Sequence, residues 1–478
     1  MTGESPELEM LDEPTPDVPE RPRPFRYDGE VRPGEVRHLR YEVGETYHGA
    51  AVEVPVTIVN GDRAGPRLFV SAAIHGDELN GVKVAQEVAS RYDPADLAGT
   101  LVVVHVANVP GFQAQQRYIP IYDQDLNRAF PGRPNGNTAS RMANALWEAF
   151  YSRCDFGLDL HTSTRNRTTM YHVRADLTNP DVGRLAWAFG ANVALTGTGD
   201  EGSLRKAATE AGIPTVTVEM GKAHRFQPVL IAKAVAGIEN VMRAYGMVGG
   251  DPSDPDWFLS TGESSDKAWL RADAGGLVDM RWGPYPFVHE GETICTVTDH
   301  FRKEERVVEA PFTGLLVGVL ENPVALPGHP LCHLVRVDEE TAEEIERDIA
   351  TGEFDGYRAN GTVWGAGEEQ EEGGPRNLAG ARSLAHPKPK ASDAPRPGMA
   401  DIGIELPDRI LTEIDRLVEQ GEFLNREQAV EELLGMGVSA YDTTTDDPIE
   451  GVGDDPFSQA VDDQQDPAMR DDDLGGGY

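Results

Sequence analysis

Lysine is scarce in this 478-residue chain: eight of its 43 basic residues are lysine, set against 81 acids and a formal charge of −38. A surface so short of positive charge excludes a generally basic nucleic-acid face, although net charge says little about fold. The composition reads as adaptation to a salt-rich cytoplasm, the halophilic pattern, where strong salt screens exposed charges within about 3 Å. Cysteine is equally sparse. Cys154, Cys295 and Cys332 cannot build a disulfide framework and form no Cys-x-x-Cys pair, so they are expected to be small buried hydrophobes. Also missing is any apolar run near the roughly 20 residues that span a bilayer, and the N-terminus is acidic and proline-rich rather than basic then apolar. A cytoplasmic protein with no membrane partner is expected, and the length suggests two to four domains.

What is present centres on His75-Gly-Asp-Glu78, placed directly after the apolar run Leu68–Ile74. A His and a Glu three positions apart at a strand end can turn toward one divalent ion, with Gly76 and Gly81 letting the backbone bend around it. The pair alone is weak, because His289-x-x-Glu292 repeats it without a comparable context and is expected to be exposed and solvated. Context supplies a third ligand. Phe156-Gly-Leu-Asp-Leu-His161 is another short apolar strand ending in histidine, and open α/β sheets place their chemistry at the carboxyl ends of such strands. His75, Glu78 and His161 match the three protein ligands of catalytic zinc, one ion per chain. The plainer reading makes both histidines polar strand ends hydrogen-bonded to loops.

A third strand, Pro214-Thr-Val-Thr-Val-Glu219, ends in a carboxylate that can move a proton from water to a leaving amine. Between the ligand pair and His161 stand Arg117 and the run Asp125-Leu-Asn127-Arg128. A guanidinium fork meets a carboxylate in bidentate fashion and an adjacent Asn amide adds a donor, so Asn127 and Arg128 are candidates to anchor substrate. Arg117 is the candidate to face the oxygen that becomes anionic. Arg165, soon after His161, can receive a second acidic group, or serve only as surface charge.

In order, His75-x-x-Glu78, Arg117-Tyr-Ile, Asp125-Leu-Asn-Arg128, Asp159-Leu-His161-Thr and Val218-Glu219-Met-Gly resemble the succinylglutamate desuccinylase/aspartoacylase family, relatives of the zinc carboxypeptidases. The resemblance spans roughly residues 45 to 340. It implies a zinc-carboxypeptidase-like α/β fold, a mixed sheet flanked by helices, and a single zinc held by His75, Glu78 and His161. It also implies Glu219 as base, Asn127 and Arg128 on a substrate carboxylate, and hydrolysis of an N-acyl amino acid. The spacing from Arg117 to Arg128 is a few residues longer than in the aspartoacylases proper, which makes Arg117 the looser carry-over.

Composition divides the chain. Residues 1–34 are acidic and proline-rich and expected to be disordered; residues 35–250 alternate strands with helices such as Asn80–Arg91 and Ser140–Tyr151. Residues 265–345 carry a weak internal repeat, in which Gly275-Gly-Leu-Val and Gly291-to-Cys295 match Thr313-Gly-Leu-Leu and Gly328-to-Cys332. That pattern suggests a small β-barrel or sandwich. It looks like the biotinyl/lipoyl-type barrel without the lysine between methionines that carries the cofactor there, since Lys303 follows no methionine. A linker at 365–398 leads to residues 399–440, whose strand, Pro-started helix, Gly break and Asn425-capped helix resemble the ribbon-helix-helix family, and residues 441–478 are an acidic tail.

Alternation leaves Asp401, Gly403 and Glu405 outward on the strand of that C-terminal module, which argues for dimerisation, as a homodimer or higher oligomer, over reading of DNA. Two functions from different classes are therefore carried forward. One is a zinc amidohydrolase acting on a small N-acyl amino acid, and the other a DNA-binding regulator with a ligand-sensing hydrolase-like domain.

Overall fold

The computed structural model describes residues 20–120, 122–164, 166–255, 259–260, 267–280, 287–338, 341–343 and 345. The expected linker, the ribbon-helix-helix-like module and the acidic tail lie outside these residues, as does Arg165.

A 13-stranded mixed sheet forms the frame. At its centre, strands Arg63–Ala72, Phe156–Ser163 and Thr215–Lys222 run parallel, Leu68 opposite Phe156 and Val216 opposite Leu158. Side chains alternate across a strand, so each buried strand feeds two cores. Leu68, Val70, Ala72, Leu101 and Val103 join Val84, Ala85 and Val88 of helix Leu79–Arg91 and Leu230, Ala234 and Ile238 of helix Pro228–Ala244. Phe69, Val102 and Val104, pointing the other way, join Met142 and Leu146 of helix Thr138–Ala149 and Leu204 and Ala208 of helix Leu204–Glu210. The result is the mixed α/β fold expected, a large sheet flanked by helices.

Because the three central strands share one direction, their carboxyl ends lie on one edge. His75 and Glu78 follow the first, and His161 and Glu219 sit near the ends of the second and third.

Two expectations need correction. The first 34 residues are not structureless throughout, since Phe25–Arg26 pairs with Glu30–Val31 and both Phe25 and Val31 are fully buried. Two apolar side chains are enough to fix a short hairpin against the core, and bulk composition hides them. The β-module is likewise not a closed unit. Its strand Gly314–Leu320 pairs antiparallel with Arg167–Ala175, so the main sheet continues into Pro330–Arg336 and Lys267–Arg271.

The repeat itself is realised as two equivalent strand pairs. Gly276–Met280 runs antiparallel to Thr293–Thr298, as Gly314–Leu320 does to Pro330–Arg336. Gly291 N donates to Ala310 O while Ala310 N donates to Glu292 O; Gly328 N donates to Ala272 O while Ala272 N donates to His329 O. Val278, Cys295, Val297, Leu320 and Leu331 of these strands are buried in one cluster, and all three cysteines are buried and free.

Candidate metal and substrate site

His75 and Glu78 occupy the turn between strand Arg63–Ala72 and helix Leu79–Arg91. The glycines of this motif provide close approach rather than unusual torsion. A Cβ on Gly76 would lie 2.1 Å from the Gly111 carbonyl carbon, and one on Gly81 3.0 Å from Leu160 Cβ. Gly76 N also donates to Arg117 O at 3.2 Å, which brings the arginine-bearing segment against the ligand turn.

Glu78 bridges the two histidines. Its Oε1 lies 2.6 Å from His75 Nδ1 and its Oε2 2.9 Å from His161 Nδ1, and the two Nδ1 atoms are 3.1 Å apart. All three residues are buried, and they form a group that could hold a metal ion. Ligand atoms around a tetrahedral zinc with bonds of about 2.0–2.1 Å stand about 3.3 Å apart, so small adjustments would let this triangle grip one ion. Backbone support comes from Thr162 N, which donates to Glu78 Oε2 at 2.9 Å.

The far nitrogen of each imidazole faces an acid. His161 Nε2 is 2.8 Å from Asp159 Oδ2, and His75 Nε2 is 3.4 Å from Asp125 Oδ1. A carboxylate behind a ligating histidine fixes its tautomer and ring orientation. Asp159 reaches His161 because residues two apart on a strand share a face.

The electrostatics agree with a cation site. Burial alone would raise the Glu78 carboxyl, but the imidazoles of His75 and His161 outweigh it and hold Glu78 well below the usual carboxylate range. Burial would lower His161, yet Asp159 and Glu78 raise it well above its ordinary value. Burial and the Arg117 charge oppose the same change at His75, where Glu78 and Asp125 prevail. Positive charge is thus favoured at the meeting point of three buried donors, and a metal ion would replace the protons there.

Glu219 lies one strand away, the register partner of His161. Its Oε1 is 3.0 Å from Arg174 Nε on the neighbouring antiparallel strand. Arg117 sits on the opposite flank, its Nη1 3.4 Å from Glu78 Oε1 and its Nη2 3.7 Å from Asp125 Oδ2. Arg128 donates from Nη1 to Asn127 O at 2.8 Å and pairs through Nη2 with Asp200. The Asn127 side-chain oxygen accepts from Leu204 N at 2.9 Å, leaving its amide nitrogen as the donor. His289 and Glu292 stay apart from all this: His289 N donates to Glu292 Oε2 at 2.8 Å in an exposed turn of the β-module.

The structure therefore gathers His75, Glu78, His161, Glu219 and Arg117 at one edge of the sheet, with Asn127 and Arg128 in the run that begins at Asp125. Sequence reasoning missed Asp125, Asp159, Arg174 and Asp200 as partners. The first two stood inside the quoted motifs, and the i, i+2 spacing of Asp159 to His161 was a usable signal. Arg174 and Asp200 come from a neighbouring strand and a distant loop, and no local pattern marks them.

Residues 64–245 match the family model described as succinylglutamate desuccinylase/aspartoacylase catalytic domain, and residues 399–441 match a family of unknown function (DUF7120). The N-alpha-acetyl-L-2,4-diaminobutyric acid deacetylase of Halomonas elongata is 28% identical over 269 residues, which are 54% of this chain and 78% of the relative. A succinylglutamate desuccinylase from Silicibacter sp. TM1040 superposes with a TM-score of 0.58 at 26% identity, covering 66% of this chain and 98% of that one. The product-bound ectoine utilization protein EutE (DoeB) from Ruegeria pomeroyi shares the fold, with a TM-score of 0.58 at 23% identity over 66% of this chain and 99% of that one. Residues 64–245 are thus similar to the succinylglutamate desuccinylase/aspartoacylase catalytic domain, a likeness to N-acyl amino acid deacylases that the Halomonas and Silicibacter relatives share.

Proposed function

We propose that this protein is a zinc-dependent amidohydrolase that cleaves an N-acyl amino acid to a carboxylate and a free amine, a reaction of the succinylglutamate and N-acetylaspartate type. The observation that carries the reading is the buried His75–Glu78–His161 triangle with Glu219 held one strand away. When bound, zinc would supply a Lewis acid that polarises the amide carbonyl and makes water acidic enough to react near neutral pH.

The chain's own residues do the rest. Glu219 takes the proton from the attacking water and passes it to the departing nitrogen. Its ion pair with Arg174 keeps the carboxylate in one orientation. Arg117, fixed between Glu78 and Asp125, presents a donor where the carbonyl oxygen gains charge. Asn127 and Arg128 hold the carboxylate of the amino-acid moiety, which places the amide over the metal ligands.

The test is product analysis. Zinc-loaded protein is incubated at high salt with N-acetyl-2,4-diaminobutyrate, the substrate type named for the Halomonas relative, and with N-acetyl-2-aminobutyrate, N-acetylaspartate and succinylglutamate. Mass spectrometry should find the free amine from at least one of them, and release from none would overturn the reading.

A further inference from the structure

Among the described residues, three arginines near the ligand triangle are paired with acids: Arg117 meets Glu78 and Asp125, Arg174 meets Glu219, and Arg128 meets Asp200. A substrate bringing two carboxylates would set its second negative charge beside one of these acids. One bringing a carboxylate and an ammonium together would leave the balance unchanged.

Asp200 is the acid placed to meet such an ammonium. It is carried by the loop Gly197-Thr-Gly-Asp200-Glu-Gly-Ser203, which is fastened to the Asn127–Phe130 run at several points. Phe130 N donates to Gly202 O at 2.8 Å, Leu204 N donates to Asn127 Oδ1 at 2.9 Å and Arg128 pairs with Asp200, while Arg205 Nη1 braces the loop itself by donating to Gly197 O. Gly202 has φ +76, and a Cβ there would lie 2.2 Å from Arg128 O, so only glycine lets the loop approach this closely. The Asp200 and Arg128 side chains nevertheless stay 31% and 26% exposed, open to a small molecule. The pair thus offers an acceptor of positive charge beside a donor to a carboxylate.

We propose that Asp200 is a specificity-determining residue that receives the free ammonium of a mono-N-acylated diamino acid whose carboxylate is held by Arg128. The assignment rests on the amidohydrolase reading for the role of Arg128. It places the substrate among zwitterions rather than among acylated acidic amino acids. A charge-assisted hydrogen bond at a partly exposed site is worth roughly a tenfold preference or more.

The test uses the full chain, loaded with zinc, as wild type, Asp200→Asn and Asp200→Ala. The ratio of kcat/KM for N-acetyl-2,4-diaminobutyrate to that for N-acetyl-2-aminobutyrate isolates the amine, since the two differ only there. Wild type should favour the diamino substrate by about tenfold or more, and both variants should bring the ratio toward one, chiefly through KM. An equal loss on both substrates would make Asp200 a structural clamp and overturn the proposal, as would a wild type that prefers N-acetylaspartate. Calorimetric binding of free 2,4-diaminobutyrate against 2-aminobutyrate requires no turnover, and so separates this proposal from the amidohydrolase reading. Amine-dependent binding lost in Asp200→Asn supports the assignment, and binding indifferent to the amine overturns it.

Discussion

Glu219 and His161 are register partners on adjacent parallel strands, so the proposed base and the third ligand are held at one strand spacing by backbone pairing rather than by loops. Such spacing is about 4.8 Å, close enough for one water to lie between a base and a metal centre.

Replacing the base should separate binding from turnover. Glu219→Gln keeps shape and is expected to retain full zinc content while kcat falls by roughly 10²–10⁴, the usual worth of general acid-base catalysis. Metal analysis and steady-state rates on the same sample check this, and near-normal turnover would place the base elsewhere.

Asp159 should act on the metal through His161. Asp159→Asn removes the charge behind the Nε2 nitrogen and is expected to weaken zinc affinity by about 10–100-fold. Competition with a chelator of known affinity measures the change. Unaltered affinity would show that the imidazole is oriented by other contacts.

Arg128→Ala should discriminate between an acid and its amide. Loss of the guanidinium is expected to lower kcat/KM strongly for N-acyl amino acids and much less for the matching N-acyl amino amides. Equal losses on both would make the arginine structural.

Burial, reinforced by the Arg174 charge, pushes the His172 imidazole down to about 3. The folded protein therefore keeps it neutral, while the unfolded chain protonates it near pH 6.5. Stability from this residue is complete above about pH 6.5 and is lost as pH falls toward 3, on the order of 2 kcal/mol between pH 7 and pH 5. Urea melts at those two pH values should differ less for His172→Gln than for wild type, and an equal difference would contradict the assignment.

That His75, Glu78 and His161 come together was legible in the sequence because strand direction and strand-end position are local properties. Apolar runs ending in His75, His161 and Glu219 announce their edge of the sheet without knowledge of the partner strands. Pairing across the chain was not legible. Nothing near Asp200 marks it as the partner of Arg128, and nothing in the repeat announces that Gly314–Leu320 joins the strand carrying Arg174. Those contacts depend on tertiary approach, and the Lys222–Glu321 ion pair that ties the β-module to the strand of Glu219 depends on it equally. Phe25 and Val31 were lost in a proline-rich composition that conceals two well-placed apolar residues.

Zinc-dependent turnover is the most direct test of the central claim. Protein stripped with chelator is titrated with zinc while release of free amine from the best substrate of the panel is followed, with His75→Ala and His161→Ala in parallel. The expected result is activity absent without metal and restored at about one zinc per chain, and no restoration in either variant. Full activity in stripped wild type, or normal zinc-dependent turnover in the His161→Ala protein, would contradict it.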